Sequence, residues 1–182
     1  MPLSALTRPA RRWLWAADQP PSTPVERVEP SPAILSESGL PAIDYADAFA
    51  ATTGAATATR DAEAWAREFL EGAPLRVRLS LLGGWTGLGL RLDPRPGTDR
   101  VLGWRVRRRE PDVVVLGAES VIGLEGELIV TRDRETVTLS TVVRTRTRVA
   151  EEVWRRVVPS HLGVVPNVLG LRKADAGAAT GP

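Results

Sequence analysis

The chain has 182 residues, enough for one domain with a substantial core. Lysine and arginine number 24 against 22 acids, a net charge of +2, and no segment carries the basic surplus of a nucleic-acid binder. The absence of cysteine excludes disulfides, thiol nucleophiles and thiolate metal sites, and a lone histidine, His161, leaves little from which to build a metal centre. Neither metal nor cofactor is expected.

Residues 1–42 contain Pro2, Pro9, Pro20, Pro21, Pro24, Pro30, Pro32 and Pro41, a density that predicts a largely disordered arm. Within it, Leu3, Leu6, Trp13 and Leu14 form a short amphipathic patch with Trp15 beside them. That patch reads as a loose tail or, through Trp13 and Trp15, as a docking segment for a partner protein or a membrane surface. No apolar run is long enough to insert stably in a bilayer, and Trp13–Ala17 is too short for a signal-peptide core, so the expected location is the cytoplasm.

Residues 43–173 read as the folded domain and residues 174–182 as a disordered tail. Ile43–Ala51, with Tyr45 and Phe49, predicts an edge strand. Thr57–Glu71 predicts a helix capped by Thr59, with an apolar stripe of Ala62, Trp65 and Phe69. Leu75–Trp85 fits strand alternation and helical spacing alike. The glycines from Gly83 to Gly89 lack the Gly-Lys-Ser/Thr ending of a phosphate loop and read as a flexible joint.

Four strand-like runs follow: Val101–Arg109, Asp112–Glu119, Leu124–Arg132 and Glu135–Val149. Their period of two, with one charged face, predicts an antiparallel meander solvated on one side. Short loops at Glu110-Pro111, Val121-Ile122 and Asp133-Arg134 set three rows on the inner face. These are Val106, Val115, Leu128, Leu139; then Trp104, Gly117, Gly126, Thr141; then Leu102, Glu119, Leu124, Val143. Two adjacent glycines beside Trp104 leave a gap in the middle row, either a close approach of backbone or a hollow for an apolar ligand.

Ala150, Val153, Trp154, Val157 and Val158 then mark one face of a long closing helix, with Glu151–Arg155 and Glu152–Arg156 pairs opposite. Pro159 and Pro166 predict bends or restarts. The fold class expected is therefore α+β, a curved antiparallel sheet of four meander strands and an edge strand around a C-terminal helix.

That order of elements resembles the helix-grip fold of the START and polyketide-cyclase-like (SRPBCC) superfamily. More closely, Val113–Gly117 (VVVLG), Leu124–Val130, Thr141-Val142-Val143 and Trp154…Val158-Pro159-Ser160-His161 resemble a bacterial domain family of unknown function. The resemblance covers about Ile43 to Lys173. It implies the fold, a helix at Leu75–Trp85, and an apolar cavity between sheet and last helix. It carries over no catalytic residue.

For chemistry the candidates are few. His161 is the first residue to examine for acid–base work, yet its neighbour Ser160 diverges from it on a helix, and the plainer reading is a packed histidine bonding a backbone carbonyl. Glu119, placed on the inner face, needs water at the sheet's open end or a partner such as an arginine or a ligand's hydroxyl, and burial there would raise its pKa. Arginines 105–109 and 144–148 form stripes that Glu125 and Glu127 neutralise, without the interleaved aromatics of a nucleic-acid platform. The first expectation is a non-catalytic domain binding a small apolar ligand through Trp104, Gly117, Glu119, Gly126, Thr141, Trp154 and His161. The alternatives are a cyclase- or hydrolase-like enzyme using Glu119 or His161, and a protein-interaction module acting through the arm.

Overall fold

A computed structural model describes residues 24–54 and 59–170. Seven strands make one open antiparallel sheet: β1 (Val25–Val28), β2 (Tyr45–Thr52), β3 (Arg100–Val101), β4 (Trp104–Arg109), β5 (Val113–Glu119), β6 (Leu124–Arg132) and β7 (Thr136–Thr145). Their order is β1-β2-β7-β6-β5-β4-β3. Four helices complete the α+β architecture: α1 (Pro32–Ser36), α2 (Ala62–Leu70), α3 (Leu75–Gly87) and α4 (Arg148–Gly170).

Helices α2, α3 and α4 cover one face, here the inner, in a core that includes Trp65, Phe69, Trp85, Trp104, Trp154 and Leu169. Asp61 caps α2 by accepting from the Ala64 amide at 2.7 Å, two residues later than the expected Thr59. The segment that fits both periods is helical, as α3, and it takes in Gly83 and Gly84, so no flexible joint lies there. Helix α4 starts where the Thr147 hydroxyl accepts from the Ala150 amide at 3.1 Å. It runs unbroken through Pro159 and Pro166, where the sequence predicts breaks. Each interior proline costs about 3 kcal/mol. Burial of Trp154, Val164, Val165, Val168 and Leu169, at about 1.5–3 kcal/mol per large side chain, outweighs both.

The outer face is not solvated as expected. Residues 31–40 cross it as a strap. Ile34, Leu35 and Leu40 pack on Val113, Val115, Ile129 and Val142 in a second apolar cluster. The arm expected over residues 1–42 is thus structured from Val25 onward: β1 pairs with β2, which therefore is not the edge strand. Ser31 caps α1, accepting from the Ile34 amide at 3.2 Å, and Pro32 opens the helix, where its missing N–H leaves nothing unsatisfied.

All three registers differ from expectation, β4 pairing Val106 with Leu116, not Val115, and Arg105, not Trp104, with Gly117. Strand β6 pairs Leu128 with Thr141, not Leu139, a shift of two that keeps every side chain on its face. Strand β5 slips by one, pairing Leu116 with Leu128 and Ala118 with Gly126, and so turns over. The cause is the turn at residues 120–123. The Ser120 amide bonds the Leu124 carbonyl, and Gly123 at φ +90° supplies a left-handed residue that a two-residue loop lacks. Gly117 and Glu119 consequently face outward.

On that outer face the Glu127 carboxylate is fully buried. One oxygen accepts from Ser38 Oγ at 2.6 Å and the Gly39 amide at 3.0 Å; the other faces Arg107 Nη1 at 3.2 Å. Arg107 reaches it by lying across Gly117, where a Cβ would stand 1.9 Å from the Arg107 Nε. Glu127→Ala should cost about 3 kcal/mol in urea unfolding, because it strands donors from strap and sheet together. Gly117→Ala should cost less, since it displaces Arg107 alone. Faster amide exchange at Gly39 and Leu40 should accompany both; unchanged exchange in Glu127→Ala would refute the anchor.

Candidate functional site

The inner face of β2 carries Tyr45 and Asp47, two residues apart and opposite Val143 and Thr141 of β7. Helix α4 brings Trp154 and His161, seven residues apart, over the same place. His161 Nε2 donates to Asp47 Oδ2 at 2.9 Å, and the Tyr45 hydroxyl donates to the same oxygen at 2.6 Å. Three rings close around the pair: Tyr45 meets Trp154 edge-on at 5.2 Å, and Trp154 lies 5.4 Å from His161. Asp47 is 1% exposed and His161 8%, so this is an interior hydrogen-bonded centre joining helix to sheet.

Beside it is a cavity of about 30 Å³, lined among others by Trp85, Trp104, Gly126, Thr141, Trp154 and His161. That is room for a water molecule or two, against roughly 300 Å³ or more for a drug-sized ligand. Trp85 and Trp104 meet edge-on at 5.3 Å, and a Cβ on Gly126 would sit 3.4 Å from the Trp104 ring. The gap left by glycine is therefore filled by the indole. Trp154 and Tyr45 also wall an open groove of about 620 Å³ outside, completed by Asp44, Thr145, Glu151, Arg155, Val158 and Pro159.

Five of the seven residues expected from sequence come together here: Trp104, Gly126, Thr141, Trp154 and His161. Gly117 and Glu119 do not. Turned outward by the slip in β5, Gly117 is the bed for Arg107, and the largely exposed Glu119 bonds Arg107 Nη2 at 3.2 Å. Glu119 and His161 lie on opposite sides of the sheet and cannot serve one cavity. Thr145, at the end of β7, binds Asp44 through its amide at 2.7 Å and its hydroxyl at 3.0 Å. Trp13 and Trp15 lie outside the described residues.

Sequence reading missed Asp47, and with it the partner of His161, which bonds a carboxylate and not the expected backbone carbonyl. The signal was there: Tyr45, Asp47 and Phe49 share one parity, so a carboxylate stands among inward-facing aromatics. Chemically, Asp47 orients His161 as the third member of a nucleophile–base–orienter set would. No hydroxyl nucleophile is hydrogen-bonded to the ring among the described residues. No three His, Cys, Asp or Glu side chains among them are grouped to hold a metal, and no helix among them is long and apolar enough to cross a membrane.

Burial pushes the Asp47 carboxyl up, but the His161 hydrogen bond and charge, with the Tyr45 and Thr141 hydroxyls, outweigh it and hold the carboxyl below its ordinary value. Burial and the Asp47 charge push the Tyr45 phenol well above its own. A depressed carboxyl pKa stabilises the fold fully above the unfolded value near ~4, and that contribution is lost as pH falls through the lower folded value. Asp47→Asn should therefore cost about 2 kcal/mol at pH 7 and progressively less below about pH 4. Urea titrations across that range check this; a gap that stays constant with pH would contradict it.

No protein-family model, no curated protein and no solved structure matches the chain.

Proposed function

We propose that the chain is a helix-grip domain of the START and polyketide-cyclase-like kind, which binds one small, largely apolar molecule where its C-terminal helix crosses the sheet and performs no chemistry on it. The observation that carries this reading is the convergence of Trp104, Gly126, Thr141, Trp154 and His161, from four separate elements, on one interior wall. An open antiparallel sheet with a long closing helix on its inner face is compatible with that fold.

The cavity is too small for such a ligand, so binding requires Trp154 to move. Trp154 is shared by the cavity and the outer groove, and its displacement joins the two spaces. The buried indole N–H groups of Trp104 and Trp154 have no acceptor among the described residues. Each is costly to leave unpaired, which favours a ligand with an oxygen at its inner end.

A second reading, a cyclase- or hydrolase-like enzyme using His161, is favoured by one observation, the orientation of that ring by buried Asp47. Native mass spectrometry of gently purified protein, with displacement of a fluorescent fatty acid, separates the readings. One ligand per chain is expected, and Trp154→Ala should take up the probe about tenfold more tightly by opening the way inward. Absence of added mass and of probe uptake in both proteins would overturn the binding reading. Conversion of the bound molecule by wild type, lost in His161→Asn, would select the enzyme.

A further inference from the structure

The outer face of the sheet carries a second concavity, unrelated to the interior site. It is an open groove of about 500 Å³ at the β3–β4 end, between the chain that leaves α3 and the end of β5. Four guanidinium groups line it: Arg91, Arg100 from β3, and Arg105 and Arg107 from β4. Two carboxylates, Asp93 and Glu119, share the lining, and two more, Asp99 and Glu127, reach the same arginines from beside it.

The four arginines fall into two kinds. Arg100 is held by Asp93 at 3.1 Å and Asp99 at 3.4 Å. Arg107, the bulged residue of β4, lies in its bed on Gly117, fixed by buried Glu127 and by Glu119. These two form a rigid floor. Arg91 and Arg105 are exposed and make no ion pair with any described residue. Each floor arginine is already held by two carboxylates, which leaves Arg91 and Arg105 as the two guanidiniums without one.

From this we infer an oxyanion site in the groove, fitted to a small molecule bearing a phosphate-like group of two or more negative charges. Planar guanidinium forks match such oxygens bidentately. A fixed floor lowers the ordering cost of binding, and the two unpaired arms complete the neutralisation. The bulge at Arg107 gives the geometry its local cause, since bulges re-aim side chains at sheet edges. No aromatic side chain lines the groove, so it lacks the stacking surface a nucleic-acid strand requires.

The test is calorimetric titration of the full chain with pyrophosphate at constant ionic strength, set by sodium chloride. Saturable one-to-one binding is expected. Arg91→Gln/Arg105→Gln should weaken it at least about tenfold, and Glu119→Gln should strengthen it, because it removes a competing carboxylate. Arg60→Gln, which alters a surface pair on α2, should leave it unchanged. All these positions are exposed, and circular dichroism verifies that each variant is folded. The site is refuted if wild type shows no saturable binding at concentrations up to about 10 mM, or if the double variant binds as wild type does. Either result would leave the interior ligand reading untouched.

Discussion

Burying both faces of the central strands sets a demand, since a polar group between the layers is costly unless it finds a partner inside the protein. Two carboxylates meet that demand, one on each side. Asp47 on the inner face holds α4 through His161, and Glu127 on the outer face holds the strap through Ser38 and Gly39. Neither contact is worth much as net stability, because desolvating each charge offsets most of the attraction. Their value is positional. Each carboxylate accepts from a packed element as well as from the sheet itself, so helix and strap are fixed in register against the sheet where apolar packing alone would allow sliding.

The tryptophans explain why the inner site is closed. Three indoles, from α3, β4 and α4, fill space that a ligand would otherwise occupy, and Gly126 lets Trp104 lie close to the strand. Such packing is reversible at its margin. Trp104 sits on the sheet within the core, whereas Trp154 lies between the interior and an open groove, with Tyr45 as its edge-on neighbour. An aromatic in that position is the cheapest one to move, because one side of its exit is already solvent.

How much was legible in the sequence depended on whether alternation had a polar phase to read. Strand β6 begins and ends where its pattern does, since glutamates mark one parity and leucines the other. Strand β5 reads Val-Val-Val-Leu-Gly-Ala and is buried at both parities, so alternation cannot choose its face. The deciding residue was Gly123, whose left-handed turn changes loop length by one and reverses the strand. The strap was hidden by its prolines: Pro32 reads as a breaker until Ser31 before it is recognised as a cap. Of the site, the five residues nominated from β4, β6, β7 and α4 lie together because those strands kept their faces. Gly117 and Glu119 left it with β5.

The adjacent residues Gly126 and Glu127 show how tightly the two faces are tied. Gly126 faces inward beneath Trp104, and Glu127 faces outward to receive Arg107 and the strap. A slip of one residue in β6 would exchange them. It would set a carboxylate under an indole with no donor at hand, and it would leave Arg107 and the strap without their acceptor. Both consequences are costly, so the slipped state is excluded from two sides at once. The strand that specifies its own register most sharply is thus the one that contributes to both surfaces. The inner wall and the rigid floor of the outer groove share that single cause.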